Sequence, residues 1–328
     1  MPALIYAPLI LAGIVLLLFG GDFLVRGGAA LAHRWRLPPL LVGLTIIAFG
    51  TSAPELVVSV QSALTGVPGL AIGNIVGSNI ANFLLVLGVP ALYGTIHTTT
   101  PGLRRNAIFA LLAAVALVVM AWDRQISPQE SAILLVAIVC YVALLGFQAR
   151  KKTDDPTLAE LTDIEHIDGL PKTMPSILFA LIAGLIALPV GAQMIVTGGV
   201  AAAQDLNVDP ALIGLTAVAL GTSLPELATV IMASVRRHAD LAIGNVLGSN
   251  IFNVFAVGGA TGVAAYMVDT PLMVPERFFQ LDLWVMLASS LLIAVIVLLQ
   301  RPITRWLGLF LTLGYLSYIA VLTRSALG

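Results

Sequence analysis

Apolar runs long enough to cross a bilayer recur along the whole chain, separated by short polar connections. A hydrocarbon core takes about 20 residues of helix, and the runs predict ten spans, over 4–31, 38–64, 69–92, 104–121, 129–149, 175–203, 210–235, 240–263, 280–299 and 303–323. One connection stands apart. Residues 150–174 are polar and acidic, with Asp154, Asp155, Glu160, Asp163, Glu165 and Asp168, and this linker divides the chain into five spans over 1–149 and five over 175–328.

The halves copy each other. PLLVGLTIIAFGTSAPELVVS from Pro39 aligns with PALIGLTAVALGTSLPELATV from Pro210, and LAIGNIVGSNIANFLLVLG from Leu70 aligns with LAIGNVLGSNIFNVFAVGG from Leu241. The offset is a constant 171 residues, the separation of Glu55 from Glu226 and of Ser78 from Ser249. With an odd number of spans per half, equivalent helices cross the bilayer in opposite directions. The predicted class is therefore an all-α membrane protein of ten transmembrane helices, built as two inverted-topology five-helix repeats. Such repeats place a transported substrate near the midplane, at the repeat interface.

Composition agrees: 59% of the 328 residues are hydrophobic and 10% charged, against roughly 25% charged in a soluble domain. A net charge of −1 gives no support for nucleic acid binding. The positions of the charges say more. Basic residues gather in alternate connections: Arg34 and Arg36; Arg104 and Arg105; Arg150, Lys151, Lys152 and Lys172; Arg236 and Arg237; Arg301 and Arg305. The other side has Arg124, Arg277 and Arg324. The positive-inside rule then predicts outward-facing termini and a cytoplasmic 150–174 loop. The first run has no basic lead or cleavage site and reads as a retained span. The single cysteine, Cys140, lies in an apolar run and predicts buried packing.

Both repeats carry Gly-Thr-Ser-x-Pro-Glu, at 50–55 and 221–226. Proline removes a backbone donor and clashes with the carbonyl four residues earlier, so a helix break is predicted in the middle of each span. Carbonyls freed around Ala48 and Ala219, at the negative end of a half-helix, suit a cation. An ionised glutamate at mid-bilayer costs roughly 2.5–3.5 kcal/mol on the translocon scale, so an empty pair of Glu55 and Glu226 calls for a proton or a cation. The same residues also spell Ser-x-x-Glu capping boxes, with Ser52 and Ser223 as caps. Capping and coordination are compatible.

The second motif, Gly-Asn-x-x-Gly-Ser-Asn-Ile-x-Asn, starts at Gly73 and again at Gly244. It offers uncharged oxygens from Ser78, Asn79 and Asn82, and from Ser249, Asn250 and Asn253; helix packing by small residues and Asn bonds is the plainer use. With the hydroxyls of Thr51, Ser52, Thr222 and Ser223, these are hard oxygen ligands of the kind calcium takes in numbers of six to eight. Zinc or copper would recruit His or Cys, and His33, His97, His166 and His238 fall in predicted loops. Asp22 and Arg26, at i and i+4, predict a local ion pair near the cytoplasmic interface.

The duplicated pair GTSxPE and GNxxGSNIxN resembles the calcium:cation antiporter superfamily, specifically its bacterial sodium/calcium exchanger branch, over the whole chain. The resemblance implies a ten-helix antiporter in which the second, third, seventh and eighth helices enclose the ions while the first and sixth slide across them. It implies Glu55 and Glu226 as shared calcium and sodium ligands. Thr51, Ser52, Ser78, Asn82, Thr222, Ser223 and Ser249 would complete the sites with the carbonyls of Ala48 and Ala219. A multi-pass inner (plasma) membrane protein that carries calcium and sodium without a cofactor is expected, with a monomer in the bilayer sufficient and the oligomeric state left open. Many relatives carry Asp where this chain has Asn253, so the site here has two acids rather than three, and the counter-ion stays open among sodium, potassium and protons. A cation channel would use the same oxygens but needs a continuous pore. An intramembrane enzyme would fit the carboxylates alone, and nothing else points to a scissile substrate or cofactor.

Overall fold

The computed structural model describes residues 3–152, 170–205 and 210–327. Helix α1 covers Ala3–Arg34. The second apolar run forms two helices, α2 (Pro39–Thr51) and α3 (Ala53–Leu64), bent by 42° at their junction. Then come α4 (Pro68–Tyr93) and α5 (Leu103–Met120), and α6 (Pro128–Lys152). The second half contains α7 (Met174–Asp205), α8 (Pro210–Val235), α9 (Ala239–Met267), α10 (Asp282–Leu298) and α11 (Arg305–Leu327). Every predicted span has its helix. Among the described residues, seven helices are long and apolar enough to cross a membrane, or eight with the bent α2–α3 pair counted as one. Most of the acidic linker, with His166, lies outside the described residues.

Prolines open several helices: Pro39, Pro54 and Pro68 all stand in a first turn, where a missing N–H removes no internal bond. The break predicted at Pro54 is present, because Ser52 leaves helical geometry at φ −85° and ψ 4°. The break predicted at Pro225 is not. Helix α8 runs through that proline as one element, since a proline inside a helix removes one bond and can be accommodated by bending without ending the ladder. Thr229 Oγ1 donates to the Pro225 carbonyl at 2.7 Å and ties the turn after it; the equivalent position in the first half is Val58, which has no hydroxyl. Equivalent irregularities do appear further on. A π-helical turn opens at Asn82 (Asn82–Val86) and another at Asn253 (Asn253–Gly258), 171 positions apart.

The centre of the molecule is α2, α3, α4, α8 and α9. Helices α4 and α9 are largely buried, and they cross the bent α2–α3 pair and α8. Around this centre, α6 packs on the far half of α9 as α11 packs on the far half of α4, and α5 meets α9 as α10 meets α4. Helices α1 and α7 lie against each other along most of their length. They run antiparallel: a Cβ on Gly13 would stand 2.7 Å from the Gly191 carbonyl oxygen, and one on Gly184 would stand 2.8 Å from that of Gly20. Only glycine allows backbones this close.

Large apolar side chains point outward, among them Ile133, Val136 and Val139 on α6, Phe179 and Ile182 on α7, and Phe310 on α11. The polar motif residues point inward. This arrangement belongs to a lipid solvent, where apolar faces need no burial. It also corrects the expectation for Cys140, which is exposed on α6, because an apolar run in a membrane helix has lipid as well as protein to face. His33, expected in a loop, lies in the last turn of α1, since that helix runs on past its apolar stretch. Short strands join the connections at one end, with Gln125–Ile126 antiparallel to Leu272–Met273.

Candidate cation site

The α2–α3 bend sets Glu55 in the first turn of α3, and Glu226 faces it from the middle of α8. Both are 0% exposed. Among the described residues neither is paired with a basic side chain. What surrounds each is drawn from both halves of the chain. Thr51 Oγ1 reaches Asn245 Oδ1 at 3.2 Å and lies 3.5 Å from Ser249 Oγ. Its counterpart Thr222 Oγ1 donates to Asn74 Oδ1 at 3.2 Å and lies 3.3 Å from Ser78 Oγ. The threonine of each repeat is thus held by the second motif of the other, or shared with it. The hydroxyls of Thr51, Ser52 and Ser249 face the Glu226 carboxyl, and those of Ser78 and Thr222 face that of Glu55.

The two half-sites differ in what they leave unsatisfied. Ser52 Oγ donates to Glu226 Oε1 at 3.3 Å. Ser78 and Thr222 instead serve each other and Asn74, so both carboxylate oxygens of Glu55 are buried without a donor, as are Glu226 Oε2, Ser223 Oγ, Asn82 Oδ1 and the whole Asn253 amide. An unsatisfied buried polar group costs about 1–3 kcal/mol, and more when charged. Natural interiors rarely hold several together. A hard cation would meet that demand for every oxygen named, and a donor-rich ligand would have to supply hydrogens for each. The fit is to a cation that takes carboxylate, hydroxyl and amide oxygens.

Several predicted roles are changed by this geometry. Ser52 is the N-cap of α3 but makes no side-chain capping bond; its hydroxyl goes to Glu226, so the capping-box reading does not hold there. The Ala48 carbonyl, expected free, accepts from the Ser52 N–H at 3.0 Å and from Thr51 Oγ1 at 3.4 Å, because the helix continues one turn beyond it. When the single Thr51 hydroxyl hydrogen goes to Asn245 Oδ1 at 3.2 Å instead, one lone pair of the Ala48 carbonyl is left to serve a cation. Ala219 falls in the part of α8 whose detail lies outside the described residues. Asn82 Nδ2 donates to Asn250 Oδ1 at 2.9 Å, and Asn250 Nδ2 donates to the Asn79 carbonyl at 3.3 Å, so these amides join α4 to α9. Asn253 is 0% exposed at the head of its π turn.

Asn74 and Asn245 are residues of this centre that motif reading passed over. They were visible as the invariant second letter of both Gly-Asn motifs, yet only the fold shows that each orients the opposite threonine. Asn74 does more than its counterpart. Its Nδ2 donates to the Glu55 carbonyl at 3.1 Å and to Ser59 Oγ at 2.9 Å; the residue equivalent to Ser59 is Val230, and Asn245 Nδ2 is left without a partner. A cavity of about 230 Å³ reaches this centre from one side, bordered by Pro54, Gln193, Val196, Gly221, Thr222 and Pro225 among others. The ion pair predicted within α1 is present, Arg26 to Asp22 at 3.4 Å, but Asp22 makes a closer one, 2.7 Å, to Arg236.

A helical multi-pass membrane protein with a buried pair of carboxylates, each framed by the other repeat, belongs to the class of ion carriers. The match to known proteins is specific. The family described as "Sodium/calcium exchanger protein" matches residues 5–147 and 176–324, and the chain belongs to that family, in the bacterial branch of the calcium:cation antiporters. It is 34% identical to inner membrane protein YrbG of Escherichia coli over 324 residues, covering 97% of each chain. It is 30% identical to the sodium/calcium exchanger MaX1 of Methanosarcina acetivorans, covering 96% of this chain and 97% of that one. Its fold is similar to that of the sodium-calcium exchanger NCX_Mj, with a TM-score of 0.79 at 30% identity, covering 96% of this chain and 97% of that one.

Proposed function

We propose that this protein is a secondary-active antiporter that exchanges calcium for sodium across the inner membrane by alternating access. The observation that carries the reading is the site itself: two buried carboxylates, three of whose four oxygens lack a donor, ringed by hydroxyl and amide oxygens from both repeats. Glu55 and Glu226 are the shared ligands. Thr51, Ser52, Ser78, Asn82, Thr222, Ser223 and Ser249 surround them, with Asn253 and the carbonyls of Ala48 and Ala219 at the margin. Two carboxylates cancel one calcium, and sodium takes the same oxygens in its place. The substrate ions are the only inorganic species required, and no step needs a cofactor.

The arrangement supporting alternation is ten helices in two inverted repeats, 1–149 and 175–328, joined by a cytoplasmic 150–174 linker, with both termini outside. Antiparallel contact between α1 and α7, which are equivalent by the 171-residue offset, favours that inversion. The likeness to NCX_Mj and the name given to MaX1 favour sodium as the counter-ion, while Asn253 favours testing potassium and protons beside it. The test is calcium uptake into proteoliposomes under imposed sodium, potassium or proton gradients. Uptake should follow an outward sodium gradient and stop when it is dissipated. Calcium flux that needs no counter-ion on the opposite face would mean a channel, and flux driven only by potassium or protons would reassign the coupling.

A further inference from the structure

The 171-residue offset extends to the two long helices. It pairs Gly20 of α1 with Gly191 of α7, Asp22 with Gln193, Val25 with Val196 and Arg26 with Thr197. Gln193 Nε2 donates to Thr197 Oγ1 at 3.2 Å, a neutral version of the bond between Arg26 and Asp22. The surroundings of the two positions are unlike. Gln193 and a half-buried Val196 border the cavity that reaches Thr222. On the α1 side Val25 is 0% exposed, whereas the two glycines are alike: a Cβ on Gly50 would overlap Leu185 and one on Gly221 would overlap Val196. Among the described residues the α7 side is open at this position and its α1 counterpart is filled by the buried Val25.

The filled side has an ion pair that the open side lacks. Asp22 Oδ1 accepts from Arg236 Nε and lies 2.7 Å from its Nη2, joining α1 to the end of α8. The residue equivalent to Arg236 is Thr65, whose hydroxyl bonds back within its own helix, to the Gln61 carbonyl at 2.9 Å and the Ser62 carbonyl at 3.2 Å. We propose that the Asp22–Arg236 ion pair is a latch that holds the α1-side route shut, and that the neutral Gln193 counterpart leaves the α7-side route free to open. Asp22 and Arg236 are positioning residues in this scheme and touch no ion. Moving α1 along the central helices must separate them.

The proposal rests on the alternating-access reading, so its readout is chosen to need no transport. Val25→Cys and Val196→Cys are made singly in the full chain carrying Cys140→Ser, and their alkylation by a small maleimide is timed in membrane vesicles. The Val196→Cys thiol should react faster. Asp22→Asn and Arg236→Gln should each speed alkylation at position 25 and slow it at position 196, by up to about fivefold for an ion pair of this exposure. Arg236→Lys should keep the original pattern. Rates that both neutral variants leave unmoved would overturn the latch, as would a Lys variant that behaves like Gln. Both thiols speeding up together would mean loosened packing and overturn it too. Reciprocal shifts in a protein without sodium-dependent calcium flux would support the latch and defeat the antiport reading instead.

Discussion

Glu55→Gln is expected to abolish calcium exchange while making the cation-free protein harder to melt. Both Glu55 carboxylate oxygens are buried without a donor, and Glu226 stands across the interface, bonded to Ser52 of the same turn as Glu55. Two carboxylates at about 6 Å repel by about 3 kcal/mol at an effective dielectric of about 20. Burying one charge at this depth costs roughly another 2.5–3.5 kcal/mol on the translocon scale. Discounted for relaxation and for the proton that the empty pair takes up, the amide should stabilise the empty protein by about 1–3 kcal/mol, or a few degrees in Tm. Calcium acts in the other direction. At a hundredfold excess over Kd it stabilises the wild type by about 2.7 kcal/mol, and the variant forfeits this because half the neutralising charge is gone. Thermal unfolding in detergent, with chelator and then with calcium, should therefore show the two proteins crossing in order. A variant that melts below wild type without cations would refute the reasoning. So would a calcium shift, or a calcium flux, of wild-type size.

Asn253→Asp should place a third carboxylate in the neighbourhood, with about 3 kcal/mol of repulsion per close pair, and make flux steeper between pH 6 and 9 or change its need for monovalent ions; identical profiles would put Asn253 outside the electrostatic reach of the site. A cysteine replacing Glu160 in the Cys140→Ser chain should resist an impermeant thiol reagent in sealed cells, and labelling from outside would reverse the topology. His238, at the connection before α9, has its pKa lowered, mainly by burial and also by Arg236, against the opposing pull of Asp240. The folded state then binds fewer protons than the unfolded, so stability should fall as pH drops below about 6.5. His238→Gln should flatten the Tm profile between pH 7.5 and 5.5; an unchanged slope would assign that loss to other groups.

Spans, repeat and central acids were legible because each is written in local sequence: run length, constant offset, and a charge where lipid would refuse it. What was not legible depended on how helices meet. The Pro54 and Pro225 motifs are nearly identical, yet one helix breaks and the other continues, so the proline alone did not decide the outcome. Ser52 could cap its own helix or reach Glu226, and only the approach of α8 settles the choice. Cys140 and the α6 residues around it look alike in sequence whether they face protein or lipid. Asp22 had an obvious partner four residues away in Arg26. The nearer one, Arg236, is supplied by a connection 214 residues further on, beyond any periodicity argument.

The repeat also explains why its imperfections matter. Two identical inverted halves would give the states open to either face equal free energy, since exchanging the halves exchanges the states. A bias can come only from positions where the copies differ, and ligands shift the balance only by binding the two states unequally. In this chain the acids, threonines and serines at the centre are matched pair for pair, so the two halves present similar oxygens there. The mismatches lie around them: Ser59 against Val230 behind Asn74, Val58 against Thr229 after the proline, and Asp22 with Arg236 against Gln193 with Thr65. Each alters a bond that holds a helix in place and leaves the oxygens at the centre alone. An exchanger so built can keep its ion chemistry nearly symmetric while setting its resting orientation through the scaffold.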